Sequence, residues 1–225
     1  TFAAYPGEIA AVITEPVQGA GGVWPPPDGY LAGLRQLCDD NGAFLIFDEV
    51  ITGFGRLGTW FAAERYGVIP DMITFAKAIT SGYVPLGGVI VGETVRGPLE
   101  ADPEFVLHHG YTYSGHPTAT AAGLKNIEIL EREGLLERAG VIEERLGAGL
   151  REIGRDGRLA AVRGVGGMWA VETPPGVEVT AVTARMRSLG VLARAAYGNL
   201  IFCPPLVATD DQLDTILGAL DASLD

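Results

Sequence analysis

Basic charge is scarce in this sequence. Lys and Arg number 16 against 28 Asp and Glu, which leaves the 225-residue chain at a formal charge of −12. Nucleic acid and anionic membrane surfaces are held by basic faces, so neither is expected as a main partner. Cysteine is scarcer still. Cys38 and Cys203 are the only two, too few for a disulfide scaffold or a cysteine-rich zinc site, and a reducing, cytoplasmic setting is expected. His108-His109 lacks metal-ligand spacing, and no metal is expected. No uninterrupted apolar run approaches the ~20 residues of a membrane span, and there is no signal-peptide pattern. The chain opens Thr1-Phe2-Ala3, without an initiator methionine, and is expected to be a fragment of something longer. Glycine and proline, by contrast, are plentiful at 32 and 14, yet 48% of the residues are hydrophobic. That combination describes a loop-rich globular protein with a sizeable core, in one large domain or two small ones.

The first third repeats one theme. Ile9 to Thr14 is a short β-branched apolar run, followed by a Gly/Pro loop from Gly19 to Pro27. A helix is predicted from Asp28, as N-cap, to Asn41-Gly42, with Leu31, Leu34, Leu37 and Cys38 on one face. Ala43 to Phe47 is a continuous apolar run, the pattern of a strand buried on both faces of a parallel sheet. A shorter helix (Thr59 to Tyr66), a third strand (Met72 to Phe75) and a fourth (Gly88 to Val91) follow. Strand–helix–strand alternation reads as right-handed βαβ units. From Pro117 to Gly154 two helices are expected, broken near Gly134, the first long and linking two lobes. The last seventy or so residues change style. Leu159 to Glu172 reads as strand, with Gly164, Gly166 and Gly167 marking bends or close backbone contact. Val179 to Leu189 reads as helix. Val191 to Ala195 and Leu200 to Cys203 read as short strands around a Gly198-Asn199 turn. Thr209-Asp210-Asp211-Gln212 is a capping box opening a final helix. The expected division is 1–133, part of a large domain with an interdomain helix, and 134–225, a small α/β domain.

Three strand ends carry ionisable groups. The first strand ends in Glu15, the second in Asp48-Glu49, and the third, after one alanine, in Lys77. The separations, 33 and 29 residues, are each one βα unit. Equivalent ends of parallel strands share an edge, so Glu15, Asp48 and Lys77 should converge where open α/β sheets bind ligands. A lysine there under apolar cover would be pushed towards a free amine able to attack a carbonyl. Lys77 could equally be an ordinary ion-pair partner of Asp48. Glu15, Asp48 and Glu49 could also serve as oxygen ligands for Mg²⁺, although Lys77 and the lack of a phosphate-substrate signature argue against that.

Glu15-Pro16-Val17-Gln18-Gly19-Ala20-Gly21-Gly22, Phe47-Asp48-Glu49-Val50-Ile51-Thr52-Gly53-Phe54-Gly55-Arg56, Pro70-Asp71, Ala76-Lys77 and His109-Gly110-Tyr111-Thr112-Tyr113-Ser114-Gly115-His116-Pro117 together resemble the class III aminotransferases. The resemblance covers nearly the whole chain, in order, and matches the C-terminal half of that family's longer chains. It implies the type I pyridoxal-phosphate fold: part of a large, mainly parallel-sheet α/β domain plus a small C-terminal α/β domain. It implies pyridoxal 5′-phosphate as cofactor, with Lys77 holding it as a Schiff base and moving the proton, and Asp48 pairing with the pyridine nitrogen. Val50 is implied to pack on a ring face. Thr112 is implied to reach the cofactor phosphate of a neighbouring subunit, hence a homodimer or tetramer with shared sites. Glu15 and Gln18 are implied to support the pocket floor, and Arg194 to bind a substrate carboxylate as a bidentate fork.

Ala20 stands where relatives acting on ornithine or γ-aminobutyrate carry glutamate. This favours the ω-amino acid:pyruvate or amine:pyruvate branch, with amine or amino-acid donors and keto-acid acceptors such as pyruvate. Two alternatives stay open: an aminomutase-type use of the same cofactor, and a catalytically silent assembly subunit, since the family's main Gly/Ser phosphate loop and its stacking aromatic lie in the N-terminal half.

Overall fold

The structure is a computed structural model describing residues 1–225. The chain divides into two compact units, Thr1–Pro16, Pro26–Phe54 and Phe61–Glu133 in the first, and Val17–Pro25, Gly55–Trp60 and Gly134–Asp225 in the second.

The first unit holds β1 (Ala11–Thr14), α1 (Tyr30–Asn41), β2 (Phe44–Asp48), α2 (Ala62–Tyr66), β3 (Met72–Phe75), β4 (Gly88–Val91), α3 (Glu93–Glu100) and α4 (Pro117–Arg132). Its sheet runs β1-β2-β3-β4. The first three strands are parallel and β4 is antiparallel to β3. The α/β alternation expected from the sequence is present. Leu31 and Cys38 of α1 pack with Ala43, Leu45, Phe47 and Val68, flanked by Val12 and Ile73. The other parity of the sheet is more open, with Ile13 61% and Phe44 39% exposed. Burial of these strands on both faces is therefore not what this chain achieves, because α1 and its neighbours cover one parity only.

Helix α1 begins two residues later than Asp28. The Tyr30 amide donates to Pro27 O at 3.1 Å, and Gly29, at φ 77 and ψ −7, is the N-cap without a side-chain cap. This is the geometry of a type II turn, which needs glycine at its third position and carries Asp28 at the second. The helix ends as expected at Gly42, in the left-handed region.

The second unit holds α5 (Leu135–Ile153), β5 (Ala161–Val165), β6 (Met168–Glu172), α6 (Val179–Ser188), β7 (Arg194–Ala196), β8 (Asn199–Phe202) and α7 (Asp210–Asp221). Its sheet is antiparallel throughout, in the order β5-β6-β8-β7. Trp169 on β6 is buried with Ile142, Leu146 and Leu150 of α5, a face spaced by four residues. Of the two middle helices the second, at 19 residues, is longer than the first, at 16. The β7–β8 turn falls on Tyr197 and Gly198, both at positive φ, as a two-residue type I′ hairpin requires. Asn199 opens β8 instead of sitting in the turn. The capping box at Thr209 and Gln212 forms with both reciprocal bonds.

Candidate active site

The β1–β2 ladder closes at Thr14 opposite Phe47, and the β2–β3 ladder at Asp48 opposite Thr74. Glu15, Asp48 and Lys77 thus leave the sheet at one edge, the carboxyl ends of three adjacent parallel strands. Strand alternation puts Asp48 and Thr74 on the open parity, away from Leu45, Phe47 and Ile73. Asp48 is half-buried. Its Oδ1 accepts the Val50 amide at 3.1 Å, an Asx-type turn that aims the carboxylate. Its second oxygen has no hydrogen-bond partner within the chain. Val50 follows on that turn, half-buried.

Lys77 sits at φ +48. A non-glycine residue in the left-handed region costs ~1–3 kcal/mol and persists only where its surroundings over-determine it. Here the following turn is pinned from α4 and the next loop. Asn126 Nδ2 donates to Ala78 O at 2.8 Å, Ser81 Oγ to Asn126 Oδ1 at 2.7 Å, and Thr80 Oγ1 to Val84 O at 2.6 Å. The Lys77 side chain is exposed and makes no ion pair or hydrogen bond. An ion pair with Asp48 is therefore not formed, and the apolar cover expected for the amine is not supplied by these residues. Glu15 is half-buried, and Thr112 is exposed within a stretch, 101–118, that is exposed throughout.

Two further acids have structural work, Glu49 at this edge and Asp71 at the opposite, amino end of β3. Glu49 is fully buried. Its carboxylate accepts the Ala62 amide at 2.5 Å, the Ala63 amide at 2.9 Å and the Thr52 hydroxyl at 3.0 Å, which caps α2. Burial pushes its carboxyl up, and those three bonds recover only part of the shift. Asp71 accepts from Arg35 Nη1 at 2.7 Å, Leu45 N at 2.8 Å and Thr94 Oγ1 at 2.6 Å. Burial alone would raise its carboxyl. The bonds from Thr94, Leu45 and Arg35, with the Arg35 charge, outweigh that and hold it below the usual carboxylate range.

Gln18 and Arg194 belong to the second unit. Gln18 is exposed and pairs backbone to backbone with Trp24, at 3.1 and 2.8 Å. The loop between them carries Val23 at φ +52, an outlier for a β-branched residue. Arg163 of β5 grips that loop. Its Nε donates to Gly22 O at 2.9 Å, its Nη1 to Glu172 at 3.1 Å and its Nη2 to Asn199 Oδ1. The guanidinium lies 3.6 Å from the Trp24 ring centre. Arg194 is exposed at the start of β7 and has no acidic partner. The grip of Arg163 was missed in the sequence, where the only signal was an arginine inside a glycine-rich strand. No group of three or more His, Cys, Asp or Glu side chains is arranged to hold a metal ion. No helix is long and apolar enough to cross a membrane.

The residues fit the aldehyde and ring ends of pyridoxal phosphate: an uncommitted amine and an aimed carboxylate at one sheet edge, beside a buried Thr74 hydroxyl that lacks a partner. Comparison with known proteins points the same way. A 5-aminovalerate aminotransferase of Pseudomonas putida is 45% identical over 230 residues, covering 97% of this chain and 52% of its own length. A putrescine–pyruvate aminotransferase of Pseudomonas aeruginosa is 38% identical over 233 residues, covering 96% of this chain and 50% of its own. The crystal structure of an amine transaminase from an uncultivated Pseudomonas species, in its PLP-bound form, superposes with a TM-score of 0.94 at 37% identity, covering 99% of this chain and 54% of that one. The chain thus spans about half the length of the curated relatives it matches. The family model for aminotransferase class-III matches residues 2–224, and the chain belongs to the class III aminotransferases.

Proposed function

We propose that the protein carrying this chain is a pyridoxal-phosphate-dependent aminotransferase that moves an amino group from an ω-amino acid or amine to a keto acid such as pyruvate. The observation that carries the reading is the placement of Lys77, strained and without a partner, and of Asp48 at one carboxyl edge of adjacent parallel strands. When bound, pyridoxal phosphate supplies an electron sink for negative charge on the carbon that bears the amine. Lys77 Nζ would hold the cofactor's aldehyde carbon and, when released from it, would move the proton at the substrate carbon. The open oxygen of Asp48 would hold the proton on the ring nitrogen, which would keep the ring electron-poor. Val50 packs on a ring face, and Glu15 and Gln18 support the pocket. Arg194, which has no acid of its own to neutralise it, receives the substrate carboxylate.

Thr112 serves the cofactor phosphate of a neighbouring copy, so the working form is a homodimer or a larger assembly with shared sites. In support, the exposed 101–118 stretch presents Val106, Leu107, Tyr111 and Tyr113 at 61–82% exposure, an apolar surface suited to a second copy. The proposed setting is cytoplasmic; Cys38 and Cys203 form no disulfide. The names of relatives that use pyruvate as acceptor support the acceptor class.

The test uses the natural protein that carries this chain. Added pyridoxal phosphate should give a visible absorption band that Lys77→Ala abolishes, together with alanine formation from pyruvate and an amine donor. A band that survives Lys77→Ala would overturn the assignment.

A further inference from the structure

Only two buried side-chain polar atoms in the chain lack a hydrogen-bond partner, and one is the Thr74 hydroxyl. Buried hydroxyls are almost always satisfied, because leaving one unpaired forfeits its hydration without return. Thr74 is also no arbitrary position. It stands directly opposite Asp48 in the parallel β2–β3 ladder, so the two side chains leave the sheet on the same face as nearest cross-strand neighbours. Its backbone carbonyl is engaged there, with Thr74 O accepting the Glu49 amide at 2.9 Å. Asp48 has the complementary deficit. One oxygen is tied to the Val50 amide, and the other is open. A donor without an acceptor thus faces an acceptor without a donor.

We propose that Thr74 is a positioning residue for Asp48: its hydroxyl rotates to donate to the carboxylate when the cofactor's ring nitrogen engages it, and so fixes the plane of the acid against the ring. The proposal rests on the pyridoxal-phosphate reading of Asp48. A carboxylate held by the Val50 amide alone can still pivot about that one bond. A second donor from the neighbouring strand removes the pivot. Within the chain the hydroxyl makes no hydrogen bond, so it is retained at a net cost to folding that a purely structural residue has no reason to carry.

The isosteric variant Thr74→Val separates these roles, tested in the natural protein that carries this chain. Without cofactor, Thr74→Val should melt at or above the wild-type temperature, since an unpaired polar atom has been replaced by a methyl group. With pyridoxal phosphate added, its dissociation constant should rise about tenfold and kcat should fall, while KM for the keto acid stays within about twofold, the scale of losing a hydrogen bond to a charged group. Thr74→Ser should restore both, and the effect of Thr74→Val should vanish in an Asp48→Asn background. Unchanged cofactor affinity and kcat in Thr74→Val would overturn the proposal. So would a loss of affinity matched by a loss of cofactor-free stability, or full additivity with Asp48→Asn. If the wild type itself shows no Lys77-dependent band, the functional reading fails first, and that outcome is visible before any Thr74 variant is measured.

Discussion

Removing the Asp71 carboxylate should damage the first unit more than any other single change outside its apolar core. Asp71→Ala strips the Leu45 amide of its acceptor inside a strand where Leu45 is fully buried. It also leaves the Arg35 guanidinium, whose side chain is 20% exposed, with Asp39 alone at 2.7 Å, and it frees Thr94. Breaking a largely buried pair from one side costs about 3–5 kcal/mol. Arg35 keeps one partner and some water, so the lower end, about 3 kcal/mol, is expected. For a urea slope of ~1–3 kcal/mol per molar, the midpoint falls by about 1–3 M. Asp71→Asn keeps an acceptor for the Leu45 amide and loses only the charge, for about 1–2 kcal/mol.

The pH dependence checks the cause. Because the folded carboxyl is held below its ordinary value, its contribution is complete above the unfolded value of about 4 and is lost as pH falls through the folded one. The gap between wild type and Asp71→Asn should therefore close in acid. Urea unfolding measured from about pH 6 down to about pH 3 decides it. A gap that stays constant or widens, or a loss under about 1 kcal/mol for Asp71→Ala, would refute the reasoning.

Glu49 should behave in the opposite sense. Its folded carboxyl is raised, so its share of stability is fullest below the unfolded value of about 4.3 and declines as pH rises through the folded one. Glu49→Gln should lose about 1–3 kcal/mol by turning an amide donor towards the α2 amides, and that deficit should narrow with rising pH in the same urea assay. Thr209→Ala removes one half of the α7 capping box and should cost about 1 kcal/mol in thermal unfolding, whereas Asp211→Ala, which leaves the box intact, should cost less.

What was legible in the sequence was local. The apolar runs behind Met72–Phe75 and Gly88–Val91 end at a charge or a glycine, and those strands have the expected limits. The start of α1 slipped because Pro27-Asp28-Gly29 satisfies two local grammars at once. A cap and a type II turn both want those residues, and the glycine at φ 77 settles the competition for the turn. Helix α3 was not anticipated, because Gly97 and Pro98 lie inside it and both lower helix propensity. The left-handed backbone at Lys77 has no sequence signature, since lysine is a poor choice for that region and only the pinned turn behind it makes the conformation affordable.

Register was the larger gap, and it explains why Pro70-Asp71 could be noticed without its purpose being seen. The three donors that reach the Asp71 carboxylate come from 36, 26 and 23 residues away, on α1, β2 and α3. No periodicity within one element encodes that convergence. It appears only once β2 and β3 are paired, and the same pairing sets Thr74 opposite Asp48. A one-residue slip of β3 would send Thr74 to the helix-covered face and Ile73 to the open one. The burial of Ile73 against the α1 cluster therefore holds the hydroxyl beside the acid. In this unit the apolar core sets the geometry of the polar edge, so a core change that permits slippage should reach the Asp48 edge without touching any residue in it.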